Sequence, residues 1–283
     1  MPLAPGAART CPIAIRKSKI VNGFTLIELL VVISILGLLA ALAVPALKNL
    51  GKSSLQVGAA RQLMDDIGHA RQMAISQHTT VYMVFVPEYF WSPNGNMTWW
   101  NSLPYSQQMA GTNLLDKQFT GYNFISLRSV GDQPGQNTTR YLGEWKSLPD
   151  GAFIATNKFY GTNYITDSAA NVTYQVTPFY YGANIPFPTA TNATGYVSLP
   201  YIAFNYLGQL VLNDTTPWPN QYEYIPLAQG YVTYAADINK ALLLAPPADV
   251  SENPLGNSTN SMFDLIRIDS LTGRAVQVRQ QIP

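Results

Sequence analysis

The sequence predicts an α+β fold, in which one long N-terminal helix packs on a head of antiparallel β-sheet. Three observations predict it. Residues 23–47, GFTLIELLVVISILGLLAALAVPAL, form an apolar run with a single ionisable side chain, Glu28. The segment that follows carries apolar residues at helical spacing. From Thr79 onward the period shortens to two, and β-like runs alternate with turn residues to the end of the chain.

The first 22 residues mix proline and small residues with Arg9, Arg16, Lys17 and Lys19 and contain no acid, a local charge of +4. Thirteen basic residues then face sixteen acidic ones from Phe24 onward, a balance of −3. A basic segment ahead of an apolar helix keeps the N-terminus cytoplasmic and sends the remainder outward. Residues 1–23 therefore read as a processed leader. The one cysteine, Cys11, lies within it, which leaves no disulfide, thiolate metal site or cysteine nucleophile in the exported part.

At about 1.5 Å per residue, a helix from Phe24 to Leu47 reaches about 36 Å, enough to cross a hydrocarbon core of about 30 Å. Residues 24–47 are accordingly expected to span a membrane. Glu28 is costly there, by roughly 2.5 to 3.5 kcal/mol on insertion scales, unless it finds a partner. Gly23 is small enough for a protease active site. A cut between Gly23 and Phe24 would create a cationic α-amino group one helical turn from a carboxylate, that of Glu28 or of its counterpart on a neighbour. The rival reading is a plain secretory signal cut near Ala41-Leu42-Ala43, but its apolar core would be about twice the usual ~7 to 15 residues and would contain Glu28.

Gly23, Phe24, Thr25, Leu26, Ile27, Glu28 and the apolar run after them resemble the class III signal of type IV pilins and type II secretion pseudopilins. The resemblance implies removal of residues 1–23 by a prepilin peptidase, N-methylation of Phe24, and assembly with other pilin or pseudopilin subunits through an inner-membrane platform. In the assembled state Glu28 would pair with a freed Phe24 amine. Gly37 and Pro45 fall where such helices carry helix-weakening residues. The implied location is the inner membrane, single-pass with the head extracytoplasmic, and then a periplasmic or cell-surface filament.

Residues 48–80 continue the helix as an amphipathic segment. Ala60, Leu63, Ile67, Ala70 and Ala74 are spaced by three and four and share one face, with Arg61, Asp65, His69 and Gln72 opposite. The head then occupies residues 81–283. In Thr79–Pro87 both alternating sets, Val81, Met83, Phe85 and Tyr82, Val84, Val86, are apolar or aromatic, which predicts a central strand. Residues 87–150 read as an irregular insertion with one strand near Tyr122 to Val130. Further strands are expected at 152–155, 172–181, 196–212, 230–235, 263–268 and 274–279, with hairpin tips at Leu207-Gly208 and Leu271-Thr272-Gly273. IAFNYLGQL, with Phe204 and Gly208, and LIRIDSLTGRAVQV, with Gly273-Arg274, are similar to the head motifs of the pseudopilin H and FimT class.

Candidate chemistry is sparse. His69 and His78 have no second imidazole or thiolate at ligand spacing, and there is no HExxH, phosphate-cradling loop or GxSxG. No catalytic residue, metal or cofactor is expected, and no basic face suggests nucleic acid. Asp264 and Asp269 form no recognisable calcium loop. Trp91, Trp99 and Trp100 admit two readings: rings that fill and stabilise a loop, or a binding loop for a glycan or surface, as in a membrane-tethered or filament-borne adhesin. The reading with most support is a non-enzymatic, minor structural subunit of a pilus-like or secretion filament.

Overall fold

The computed structural model describes residues 25–92, 97–128, 131–133, 137–167, 170–189, 196–239, 241–259 and 264–279, with side chains except at 42–55, 182–184, 196 and 279. Contacts divide the chain into two units, Met1–Asn49 and Leu50–Pro283. The architecture is α+β: a long N-terminal helix and antiparallel sheets.

Helix α1 runs from Leu26 to Gln77, and its backbone stays helical through Gly37 and Pro45. Within the first unit every described side chain from Thr25 to Ala41 is exposed, Leu26 at 88% and Leu38 at 65% among them. The second unit contains the amphipathic stretch, where Ala59, Ala60, Leu63, Ile67, Ala70 and Ala74 are fully buried. The helix ends where His78 adopts φ +50 and the Thr79 amide donates to the Ala74 carbonyl at 3.3 Å. That left-handed cap satisfies a terminal carbonyl, and histidine is among the non-glycine residues that tolerate it.

Strand β1 (Val81–Phe85) pairs on one side with β2 (Gly121–Ser126) and on the other with β9 (Tyr196–Phe204), all antiparallel. β3 (Arg140–Tyr141) and β4 (Lys146–Ser147) extend the sheet beyond β2, and β8 (Tyr180–Pro186) and β10 (Leu210–Val211) pair with β9. β1 is thus central, and its two apolar sets serve two cores. Val81, Met83 and Phe85 pack with the buried face of α1, while Tyr82, Val84 and Val86 face a second cluster. This is why neither set is polar.

A second sheet, ordered β12 (Asp249–Glu252), β11 (Tyr222–Thr233), β13 (Asp264–Asp269) and β14 (Ala275–Arg279), adds β5 (Ala152–Ile154) alongside β11. Ile225, Leu227, Ile266 and Ile268 join the α1 core. Leu265 points the other way, toward Ile165 and Val176 of a separate hairpin, β6 (Asn163–Asp167) and β7 (Val172–Val176).

The segment expected to be irregular is more ordered than its composition suggests. It holds α2 (Thr98–Ser102), α3 (Tyr105–Thr112), a short 3₁₀ turn at Leu115–Lys117 and the fully buried β2. Phe90, Trp91, Trp100, Leu103, Leu114 and Leu115 cover the outer face of the first sheet. Short helices carry little periodic signal, so burial of this kind is not visible in a hydropathy pattern. A further helix, α4 (Asn157–Tyr160), follows β5.

The two expected hairpin tips meet. Gly208 (φ +77) and Gly273 (φ +63) are left-handed, and a Cβ on Gly273 would lie 2.1 Å from the Gly208 carbonyl oxygen and 3.1 Å from the Phe204 ring. Only a residue without a side chain fits this crossing. Leu210 N donates to Ser270 O at 2.8 Å, tying the first sheet to the second beside it.

Candidate functional site

The opening turn of α1 is built by three hydrogen bonds between two residues. The Thr25 amide and the Thr25 hydroxyl each donate to Glu28 Oε2 at 2.9 Å, and the Glu28 amide donates to Thr25 Oγ1 at 3.2 Å. This is a reciprocal capping box, which satisfies donors that a helix N-terminus otherwise leaves without intrahelical partners. Glu28 therefore already has a partner within its own helix, Thr25. The sequence carries the signature of this box, Thr25-Leu26-Ile27-Glu28 ahead of an apolar run.

Beyond the cap the helix exposes eleven large aliphatic side chains between Leu26 and Leu39. Covering each stabilises by roughly 1.5 to 3 kcal/mol, so the uncovered stretch represents on the order of 15 to 30 kcal/mol. An apolar surface of that size does not stay in water. Within it the Ser34 hydroxyl donates back to the Leu30 carbonyl at 2.8 Å, and a Cβ at Gly37 would meet nothing within 4 Å. Among the described residues no helix is long and apolar enough to cross a membrane, the described side chains of this run ending at Ala41. Gly23 and Phe24 lie outside the described residues, as does the side chain of Pro45.

In the head, Trp91 and Trp100 are buried, at 1% and 3% exposure, and Trp99 is half-buried. Phe90 packs edge-on to both Trp91 and Trp100, and Trp99 tilts against Phe187. α3 approaches so closely that a Cβ on Gly111 would fall 2.6 Å from the Trp100 ring. Trp91 and Trp100 belong to the core of the head, and Trp99 packs at its edge. His69 is exposed on α1 with its ring edge-on to Phe124, and His78 is the helix cap. A cleft of about 980 Å³ is lined by Glu88, Tyr89, Tyr160 and Tyr181, and there the Tyr160 hydroxyl donates to Glu88 at 2.5 Å.

Several carboxylates serve the fold. Asp66 accepts from the Tyr122 hydroxyl at 2.6 Å and from Lys146 Nζ at 2.5 Å, fastening α1 to β2 and β4. Asp264 accepts from Gln277 Nε2 across the β13–β14 pair. Lys158 of α4 and Glu223 of β11 form an ion pair that is almost wholly enclosed, at 0% and 1% side-chain exposure. Sequence offered no signal for this pair, since the two residues are 65 apart and lie in different elements.

Residues 19–44 match the family model described as the prokaryotic N-terminal methylation motif. The match spans the Gly23-Phe24 junction, Glu28 and the apolar run to Val44, and it is consistent with a type IV pilin or pseudopilin. No curated protein and no solved structure matches the chain.

Proposed function

We propose that the chain is the precursor of a filament subunit of the type IV pilus-like or type II secretion kind. The observation that carries this reading is the methylation motif over residues 19–44, together with the opening stretch of α1, where every described side chain from Thr25 to Ala41 is exposed. A peptidase cuts after Gly23, Phe24 becomes the methylated N-terminus, and residues 24–47 sit in the inner membrane until assembly. In the filament the same surface is covered by the helices of neighbouring subunits. The subunit is structural and not an enzyme, and its large head suits a minor position. Its partners are other pilin or pseudopilin subunits, the prepilin peptidase, the inner-membrane assembly platform and, before assembly, lipid.

Glu28 has two roles in this scheme. Before cleavage it caps its own helix through Thr25. After cleavage an α-amino cation at Phe24 competes for the same carboxylate, and in a water-poor helical core a cation left without its counter-charge is strongly destabilising.

Mass spectrometry of the N-terminus of the membrane-extracted protein tests the proposal. A methylated Phe24 start is expected. A mature start just after Ala43, or an intact residue 1 in cells that possess the peptidase, would overturn it.

A further inference from the structure

Among the described residues, Lys158 and Glu223 form the ion pair in which both side chains are almost wholly enclosed, and the proposed filament function does not use it. Lys158 Nζ contacts Glu223 Oε1 directly, donates to the Thr177 carbonyl at 2.5 Å, and lies 4.7 Å from the centre of the Phe179 ring. Glu223 Oε2 is buried without a hydrogen bond of good geometry, the Thr177 side chain lying beside the carboxylate. An ion pair taken out of water repays its desolvation only when its remaining lone pairs and protons are satisfied, and here one oxygen is not.

We propose that Lys158 and Glu223 are joined by an isopeptide bond in the folded protein. The neutral Nζ amine attacks Cδ of the neutral carboxyl group, the N–C bond forms, and the C–O bond to one oxygen breaks. The departing hydroxyl takes a proton from the nitrogen and leaves as water, so no oxidant, reductant or co-reactant is needed. Condensation removes both charges from the apolar site and discards one carboxylate oxygen, accounting for the poorly bonded Oε2. The remaining amide N–H keeps the Thr177 carbonyl as its acceptor.

The surroundings favour the reactants the step requires. Burial pushes the Lys158 ammonium down toward the free amine and the Glu223 carboxyl up toward the neutral acid, against the mutual attraction of the charged forms. Phe159 and Phe179 stack edge to face beside the pair, and Lys158 and Glu223 sit on rigid elements, α4 and β11. The two atoms are therefore held together for the lifetime of the fold, the condition under which a slow intramolecular step completes. The bond would close the chain from Lys158 to Glu223 around β6 to β10.

Peptide mapping by tandem mass spectrometry of the full chain, purified folded and sampled over days before denaturation and digestion, tests this. The expected result is a branched peptide joining Lys158 to Glu223, lighter than the sum of its parts by one water, complete or growing with time. It must be absent from a Lys158→Met protein. Recovery of only the separate, unlinked peptides at every time point overturns the proposal and leaves a buried ion pair. The outcome does not depend on where the N-terminus is processed.

Discussion

Arg71 Nε donates to the Thr272 carbonyl at 2.7 Å and to the Gly208 carbonyl at 3.2 Å, so one guanidinium on α1 holds a hairpin tip from each of the two sheets. Hydrogen bonds to a charged group are worth about 1.5 to 3 kcal/mol each when enclosed, and Arg71 is half-buried. Replacing it by Met keeps much of the stem packing and removes both bonds. A loss of about 2 kcal/mol is expected, which for a head of this size lowers Tm by roughly 4 to 8 °C. Thermal unfolding followed by circular dichroism reads this, and a Tm equal to wild type would show that the tips hold themselves.

Trp100 supplies a second prediction, because its burial separates packing from recognition. Trp100→Ala leaves a void among Phe90, Trp99 and Gly111 and is expected to cost about 3 to 5 kcal/mol. Chemical denaturation of the variant measures it. A binding loop would give the opposite result, unchanged stability with loss of a ligand.

Much of the α1 core was legible because it rests on one periodicity. Ala60, Leu63, Ile67, Ala70 and Ala74 follow from spacing alone, and all five are fully buried. The tips at Gly208 and Gly273 were legible because left-handed turns select glycine. The first half of β11 was not: Glu223 and Pro226 interrupt its apolar pattern, one held by Lys158 and the other set in the β11–β13 pairing. β6 and β12 were also unread, since both alternate with exposed polar residues. At the N-terminus the motif was visible in full, but reading Glu28 only as a charge hid its bond to Thr25.

Asp269 carries the pH-dependent prediction. Its carboxylate accepts from the Thr272 amide at 2.8 Å and the Thr272 hydroxyl at 2.9 Å, and these bonds hold its pKa below the usual aspartate value. A depressed folded pKa means that the tip gains stability from Asp269 above the unfolded value of about 3.9 and loses it as pH falls through the folded value. The Thr272 amide resonance, followed by NMR from neutral pH downward, is expected to shift with a midpoint below that of an unperturbed aspartate. In Asp269→Asn the transition disappears. A midpoint at or above the ordinary value would contradict the hydrogen-bonded turn.

Glu28→Gln separates the two tasks assigned to Glu28. Glutamine keeps an acceptor oxygen for the Thr25 amide, so the capping box and the start of α1 survive, whereas Glu28→Ala removes both cap and charge. Loss of a cap costs about 1 kcal/mol. That is too little to abolish a helix whose apolar surface is covered by lipid or neighbours. Loss of the ion pair instead leaves a Phe24 amine unpaired in the filament core, a penalty of about 3 to 5 kcal/mol. Incorporation into purified filaments should therefore fall by a similar large factor in Glu28→Gln and Glu28→Ala, while Thr25→Ala, which weakens only the cap, assembles nearly as well as wild type. If Glu28→Gln assembles normally and Thr25→Ala does not, the cap is what assembly needs, and the pairing of Glu28 with the Phe24 amine is wrong.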